Sequence, residues 1–202
     1  LYGAWNADIH KYTFEMCTSL KNIEFLSTLE SIGDSAFLGC ESLTKITIPS
    51  SVTSIESNAF RDCKSLTNIE LPKELTLKSI GSYTFQNCSS LTNITIPSSV
   101  TLIGSGAFDK CSSLTNVELP SSLKSIDDFA FDECTSLTKI DLPSSLESIG
   151  DSVFGDCFLI KSIDIPSSVT SIGKLRFNEK YSLISIKIPP SVKKMGDAVF
   201  DN

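Results

Sequence analysis

The side chains best suited to nucleophilic or metal chemistry are seven cysteines and a single histidine. Zinc sites use closely spaced ligand pairs such as C-x-x-C, and no two cysteines here are closer than 23 residues, so we expect no metal. The only histidine, His10, could serve as a base for Cys17, but it lies in the least regular part of the chain. This pair gives little support for catalysis. The cysteines are Cys17, Cys40, Cys63, Cys88, Cys111, Cys134 and Cys157.

The remaining patterns that are typical of enzymes are weak. Serine recurs in P-S-S-V segments, where its hydroxyl caps backbone groups of a turn. Asp127 and Asp128 are adjacent carboxylates, without the unlike environments that an acid and a base need. No G-x-G-x-x-G or P-loop motif is present. We therefore expect a protein that is not an enzyme and that uses no cofactor.

Composition narrows the choice of partner. The 202 residues include 24 acidic and 17 basic side chains, a formal net charge of −7, and 41% are hydrophobic. That is enough apolar material for a sizeable core, whereas the acidic balance disfavours nucleic acid. No apolar run approaches the ~20 residues that cross a bilayer. We expect a globular segment without membrane insertion, whose partner is a protein of neutral or basic character.

An internal repeat positions all of these residues. Nine phenylalanines recur at intervals of 23 residues, with one interval of 25, and each cysteine lies three residues after one of them. The two extra residues fall within the stretch from Leu75 to Lys78, between the proline and Ile80, where we expect a loop to absorb them. The repeated phenylalanines are Phe14, Phe37, Phe60, Phe85, Phe108, Phe131, Phe154, Phe177 and Phe200.

Each unit predicts a short strand followed by a turn. In the segment LTKITIP, Ile46 and Ile48 alternate with polar residues, which indicates a strand with one buried face that ends at Pro49. Stacked copies then form a continuous parallel sheet with strands ~4.8 Å apart.

The second half of the unit has a different spacing. Phe37, Cys40 and Leu43 are three residues apart, which places them on the core side of a helical or 3₁₀ turn. The cysteine column then fills space beneath the phenylalanines as small hydrophobic side chains. We expect all seven cysteines to be buried and reduced.

Two copies of the unit, LTNITIPSSVTLIGSGAFDKCSS and LTNVELPSSLKSIDDFAFDECTS, resemble the BspA-like leucine-rich repeat proteins. The resemblance implies a repeat solenoid with short parallel strands on the concave face and turns, 3₁₀ or short helical segments on the other side. It also implies a single domain, 1–202, of about nine units, with no catalytic residues. The implied role is cell adhesion and virulence at the cell surface or in secreted form, and a cytoplasmic location stays open.

Polar residues that alternate with the buried strand residues form the candidate ligand surface. Two columns are involved: the acidic strip, defined at the end of this paragraph, and a flanking column two residues before it that includes Asn68, Asn93 and Asn116. We predict binding of a basic or polar protein ligand there and at Glu70, Glu118, Asp141 and Asp164, but a charged sheet face that prevents aggregation fits equally well. The acidic strip is the column Glu24, Thr47, Glu70, Thr95, Glu118, Asp141, Asp164 and Lys187.

A second candidate surface is a departure from the repeat. Phe158 and Tyr181 stand in a column that is polar elsewhere, and Leu159 and Ile184 replace serine and threonine or lysine. Exposed apolar clusters often mark contact sites, so we predict ligand contacts at Phe158 and Tyr181. Local repacking around Arg176 and Lys180, or contact with sequence beyond residue 202, explains the pattern as well. We call these four residues the rim cluster.

Neither end of the sequence shows the polar cap that solenoids need. We expect a fragment of a longer protein, or end-to-end self-association. The leading functional hypothesis is a non-enzymatic protein-binding module of a microbial surface adhesin that recognises host or neighbouring-cell proteins. The alternative is an intracellular or structural repeat scaffold, which seven unpaired thiols would suit.

Overall fold

The computed structural model describes residues 8–175 and 183–196, which wind into a solenoid of short parallel strands. Each full unit contributes up to two strands, which stack on the equivalent strands of neighbouring units and form two ladders. Within the described ranges, there is no helix; of the alternatives expected for the non-strand side, turns are what the chain adopts.

The first ladder contains the strands that the LTKITIP pattern predicts. Their central residues are buried, except for the partly buried Ile186, and the residues on either side are mostly exposed, as in Lys45–Thr47, where Ile46 is 1% exposed. The strands are β3 (Lys45–Thr47), β5 (Asn68–Glu70), β7 (Asn93–Thr95), β9 (Asn116–Glu118), β12 (Ser162–Asp164) and β14 (Ser185–Lys187).

The second ladder was not predicted from the sequence. It is built from two-residue strands, mostly Ser-Ile, whose isoleucine points into the core just before the bend. The strands are β1 (Asp8–Ile9), β2 (Ser31–Ile32), β4 (Ser54–Ile55), β6 (Ser79–Ile80), β8 (Leu102–Ile103), β10 (Ser125–Ile126), β11 (Ser148–Ile149), β13 (Ser171–Ile172) and β15 (Lys194–Met195).

The expectation of one continuous sheet behind the ligand surface is wrong. The first ladder is divided into the pairs β3–β5, β7–β9 and β12–β14, and the longest sheet is the six-stranded run from β6 to β15 in the second ladder. Both ladders are interrupted at the unit of 25 residues, between β4 and β6 and between β5 and β7. Two added residues displace the strands on either side from the 23-residue register.

The extra residues do not form a loop. Leu75 and Lys78 keep the hydrogen bonds of a regular unit, so the inserted residues are Thr76 and Leu77. Leu77 is 1% exposed. Leu77 is therefore packed into the core while Thr76 is exposed, so the expected surface loop is wrong for the apolar residue of the insertion.

A stack of phenylalanine rings runs through the core. From Phe14 to Phe154, neighbouring rings lie 5.0–6.1 Å apart between centroids and within 15° of parallel. Each phenylalanine of the stack lies between two tight turns of the backbone. The residues two positions before and after it adopt a left-handed conformation, as Phe129 (φ 58°) and Glu133 (φ 52°) do on either side of Phe131. The predicted inward face of Phe37, Cys40 and Leu43 is confirmed, since all three are 0% exposed.

Six cysteines are buried, and Cys17 is exposed. Each buried Sγ donates to the carbonyl oxygen of a phenylalanine in the preceding unit, at 3.1–3.3 Å. Cys17 lies in the first unit that the structure describes, and its side chain is exposed. The expectation that all seven are buried is therefore wrong for Cys17.

Candidate functional site

Every residue of the acidic strip is exposed, and six of the eight lie in strands of the first ladder, whereas Glu24 and Asp141 lie outside its strands. Parallel pairing brings equivalent residues side by side: Thr47 with Glu70, Thr95 with Glu118, and Asp164 with Lys187. In this register, residues 23 positions apart in the sequence become neighbours across one strand spacing of ~4.8 Å. A partner laid along the solenoid would meet one strip residue from each unit.

Hydrogen bonds and ion pairs relieve the repulsion expected between the acidic groups of the first half of the strip. Lys45 Nζ lies 2.9 Å from Glu70 Oε1, and Thr47 Oγ1 donates to Glu70 Oε2 at 3.0 Å. These two contacts, that of Lys45 first, lower the pKa of Glu70. Thr95 Oγ1 donates to Glu118 Oε2 in the same way, at 3.2 Å.

The second half of the strip is less compensated. Glu118, Asp141 and Asp164 come from three successive units, and only Asp141 has an ion pair, with Lys139 Nζ at 2.8 Å. Among the described residues, no basic side chain forms an ion pair with Glu118 or Asp164, although Lys187 stands beside Asp164 in the strand register. The strip is thus most available to an added cation or basic side chain in this segment.

A depression of about 410 Å³ adjoins this segment. Asp164 and Lys187 contribute to its wall, and Leu142, Pro166 and Pro189 give it apolar surface. A charged edge beside a partly apolar depression suits an inserted side chain of a protein ligand, because the side chain would cover apolar surface and the edge would orient a charge.

The flanking column lies beside the strip. Asn93 and Asn116 are exposed and paired in register, whereas Asn68 is half-buried and pairs with Lys45. Asn93 Nδ2 donates to Thr92 Oγ1 at 3.1 Å. These amides extend the polar surface away from the carboxylates and offer both donors and acceptors.

The rim cluster is placed only in part. Leu159 is 46% exposed and Ile184 is 82% exposed, while Phe158 is half-buried. Tyr181 lies outside the described residues. Two apolar side chains therefore do face solvent near this point, and a contact surface formed by all four residues stays a prediction.

Sequence reasoning missed a group of carboxylates on the turn side of the solenoid. One oxygen from each of Asp109, Asp132 and Glu133 lies within 4.8 Å of the others. Burial, followed by the nearby Asp109 and Asp156 carboxylates, raises the pKa of Asp132 to about 6. The sequence does contain a signal for this group, because Asp109 and Asp132 both directly follow a phenylalanine of the stack.

The described part of the chain has no helix that is long and apolar enough to span a membrane. His10 is exposed and takes no part in lining the depression beside the strip. That the protein is not an enzyme stays a prediction.

Comparison with known proteins identifies the repeat. The family described as BspA type leucine rich repeat region matches in six copies, over residues 6–101 and 78–202. No curated protein matches the chain.

Several solved structures are similar to this one. A leucine rich repeat protein from T. pallidum is 34% identical over 79% of this chain and 74% of its own length, with a TM-score of 0.71. A leucine rich cell surface protein from Faecalibacterium prausnitzii is 28% identical over 99% of this chain and 64% of its own, with a TM-score of 0.75.

The pneumococcal vaccine antigen PcpA is 25% identical over 94% of this chain, with a TM-score of 0.61. The match covers 57% of that antigen, so this chain spans less than two thirds of it. The repeat sequence, the parallel solenoid and a family match along nearly the whole length agree. The chain belongs to the BspA-type leucine-rich repeat family, whose solenoids are typically non-enzymatic protein-binding scaffolds that are generally associated with the cell surface.

Proposed function

We propose that this chain is a protein-binding module of a microbial cell-surface adhesin and that it recognises a host or neighbouring-cell protein through the acidic strip. The observation that carries the proposal is the segment Glu118, Asp141 and Asp164, three exposed carboxylates in successive units beside an apolar depression. The similarity to a cell surface protein and to a vaccine antigen supports a location outside the cell.

The geometry suggests that charge governs the association rate and that burial of an apolar side chain governs the dissociation rate. The carboxylates of Glu118 and Asp164, which form no ion pair among the described residues, attract a basic partner and raise the rate of encounter, which depends on salt. The depression lined by Leu142, Pro166 and Pro189 then holds an inserted side chain and slows dissociation. The preferred ligand is therefore a protein with a basic surface patch and an apolar side chain at its centre.

The test is kinetic and uses a set of purified extracellular proteins that range from basic to acidic. Surface plasmon resonance at several salt concentrations gives the association and dissociation rates of each. We expect basic proteins to bind, and reversal of Glu118, Asp141 and Asp164 to Lys to slow association about tenfold or more at low salt.

A matched control separates the strip from net charge. Glu30, Glu56 and Glu74 are exposed acidic residues outside the strip, and their reversal to Lys changes the total charge equally. We expect this control to leave most of the association rate intact. Equal losses in both triple variants would show that only overall charge matters and would reject the strip as the site.

The rim cluster is the competing candidate for the binding site. Leu159→Ser and Ile184→Thr restore the residues found elsewhere in these columns, so they remove the apolar surface while keeping the repeat. Faster dissociation in this double variant, without any response to reversal of the strip, would move the site to the rim cluster. No response to either set would favour a structural scaffold.

Burial of six of the seven cysteines weakens the argument from thiols for the scaffold alternative. Unpaired thiols suit a reducing compartment when they are reactive, but burial raises the pKa of Cys63, Cys88 and Cys134 and keeps these thiols protonated. Such thiols resist oxidation, so they are compatible with an extracellular location. A signal sequence or surface anchor in the complete gene would distinguish the two functions.

A further inference from the structure

The carboxylate group on the turn side contains a buried acceptor that has no partner. Asp109 is 8% exposed, and its Oδ1 is buried without a hydrogen bond. Its other oxygen, Oδ2, accepts from Gln86 Nε2 at 2.6 Å, which fixes the carboxylate in place. Gln86 Oε1 is likewise buried without a donor. Buried oxygens without a partner are costly unless a hydrogen-bond donor or a cation satisfies them.

The spacing of the group fits a hard cation. Oxygens of Asp109, Asp132 and Glu133 lie within 4.8 Å of one another, a separation that an ion with bonds of 2.3–2.6 Å can bridge. Asp132 and Glu133 are only half-buried, so solvent can reach the group and supply water ligands. We propose that Asp109, Asp132 and Glu133 bind Ca²⁺, with Asp109 as the fixed ligand.

The neighbouring unit leaves room for this arrangement. Gly155 stands one unit after Asp132 in the column that follows each phenylalanine, and a Cβ there would collide with Asp132 Oδ1. Any larger residue at position 155 would push the Asp132 carboxylate aside. The Asp132 carboxylate thus occupies the space that a side chain at position 155 would fill.

One resident cation competes with Ca²⁺. Lys110 Nζ lies 3.5 Å from Glu133 Oε1 and neutralises part of the charge of that ligand. Removal of this amine would free Glu133 without touching the other two carboxylates. Under the proposal, Lys110→Gln therefore binds Ca²⁺ more tightly. If the three carboxylates had a purely structural role, the substitution would give no reason for a higher affinity for Ca²⁺.

The experiment measures Ca²⁺ binding to the chain after treatment with a chelator, by isothermal titration calorimetry and by thermal melting. We expect a Kd of about 0.1–1 mM and a rise in Tm of about 3–10 °C at 10 mM CaCl₂. Asp109→Asn and Asp132→Asn should weaken binding at least tenfold. Lys110→Gln should tighten it severalfold, and Glu56→Gln, an exposed control outside the group, should leave it unchanged.

Other outcomes would overturn the proposal. If neither the unmodified chain nor Lys110→Gln responds to CaCl₂ in heat or Tm, the group holds no cation. If Asp132→Asn raises Tm and the unmodified chain ignores CaCl₂, a proton shared between carboxylates satisfies the group instead. Equal weakening by Glu56→Gln would show non-specific attraction of Ca²⁺ to an acidic surface.

Discussion

Phe108 lies inside the phenylalanine stack, between Phe85 and Phe131, and the change to test is Phe108→Ala. Its ring is 0% exposed and its centroid is 5.4 Å from that of Phe85 and 5.2 Å from that of Phe131. The substitution removes a whole ring from a column that is packed on both sides, while the backbone bond from Phe108 N to Ala130 O remains available.

The size of the effect follows from burial and from the stack. Truncation of a fully buried phenylalanine costs about 3–5 kcal/mol, because the cavity that it leaves collapses only in part. Here the two neighbouring rings also lose a stacked partner, a contact worth about 0.5–1.5 kcal/mol for each pair, which places the expected loss toward the upper end of that range. For a chain of this length, the corresponding fall in Tm is about 6–20 °C.

The assay is urea unfolding followed by circular dichroism, together with hydrogen exchange. Since units are stabilised by their interfaces, the amides of Phe85 and Phe131 should lose protection as well as that of Phe108. Phe129→Ala is the matched control, because Phe129 is 39% exposed and lies outside the stack. A loss below about 1 kcal/mol for Phe108→Ala, or an equal loss for Phe129→Ala, would refute the stacking argument.

Three further predictions rest on other parts of the core and turns. Gly104→Ala should lower the free energy of unfolding by about 1–3 kcal/mol, since the added Cβ would lie 2.9 Å from Ser82 N; unchanged urea unfolding would contradict the close approach. A thiol reagent should label Cys17 alone in the native chain and all seven cysteines after denaturation; a second fast thiol would show that the cysteine column opens. Burial, and then Asp128, raises the pKa of Asp127 above its reference of 3.8, so its contribution to stability is present below about pH 4 and lost as the pH rises through the raised value. Asp127→Asn should flatten this part of the pH profile of Tm, and an identical profile would count against it.

The sequence predicts the core because the core repeats. Each stack position is occupied by the same residue type, so a period of 23 identifies Phe37 or Cys40 as buried without further information. Cys17 shows the limit of this reasoning, since it stands in the same column as six buried cysteines and is nevertheless exposed. Burial of a residue in this column depends on contacts with the preceding unit, as the bond from Cys40 Sγ to Phe14 O shows, and the column itself does not contain those contacts.

The second ladder and the packed insertion escaped prediction for a different reason. A two-residue strand such as Ser125–Ile126 is too short to show an alternating pattern, and only its pairing with the units on both sides reveals it. The position of Leu77 in the sequence predicted a loop, but its apolar side chain is buried in the core. Both outcomes depend on contacts between units, which the pattern within one unit does not contain.

The same distinction explains which functional residues the sequence reveals. The acidic strip was visible because one column was followed through successive units, and the carboxylate group was missed because the search for metal ligands looked for pairs close together in the chain. Asp109 and Asp132 are 23 residues apart, yet stacking brings their carboxylate oxygens within 4.8 Å. In a solenoid, a ligand pair spaced by one period is as close as a C-x-x-C pair is in a zinc loop. Chemistry in such proteins therefore has to be sought between neighbouring units along each column, as well as between residues that are close in the chain.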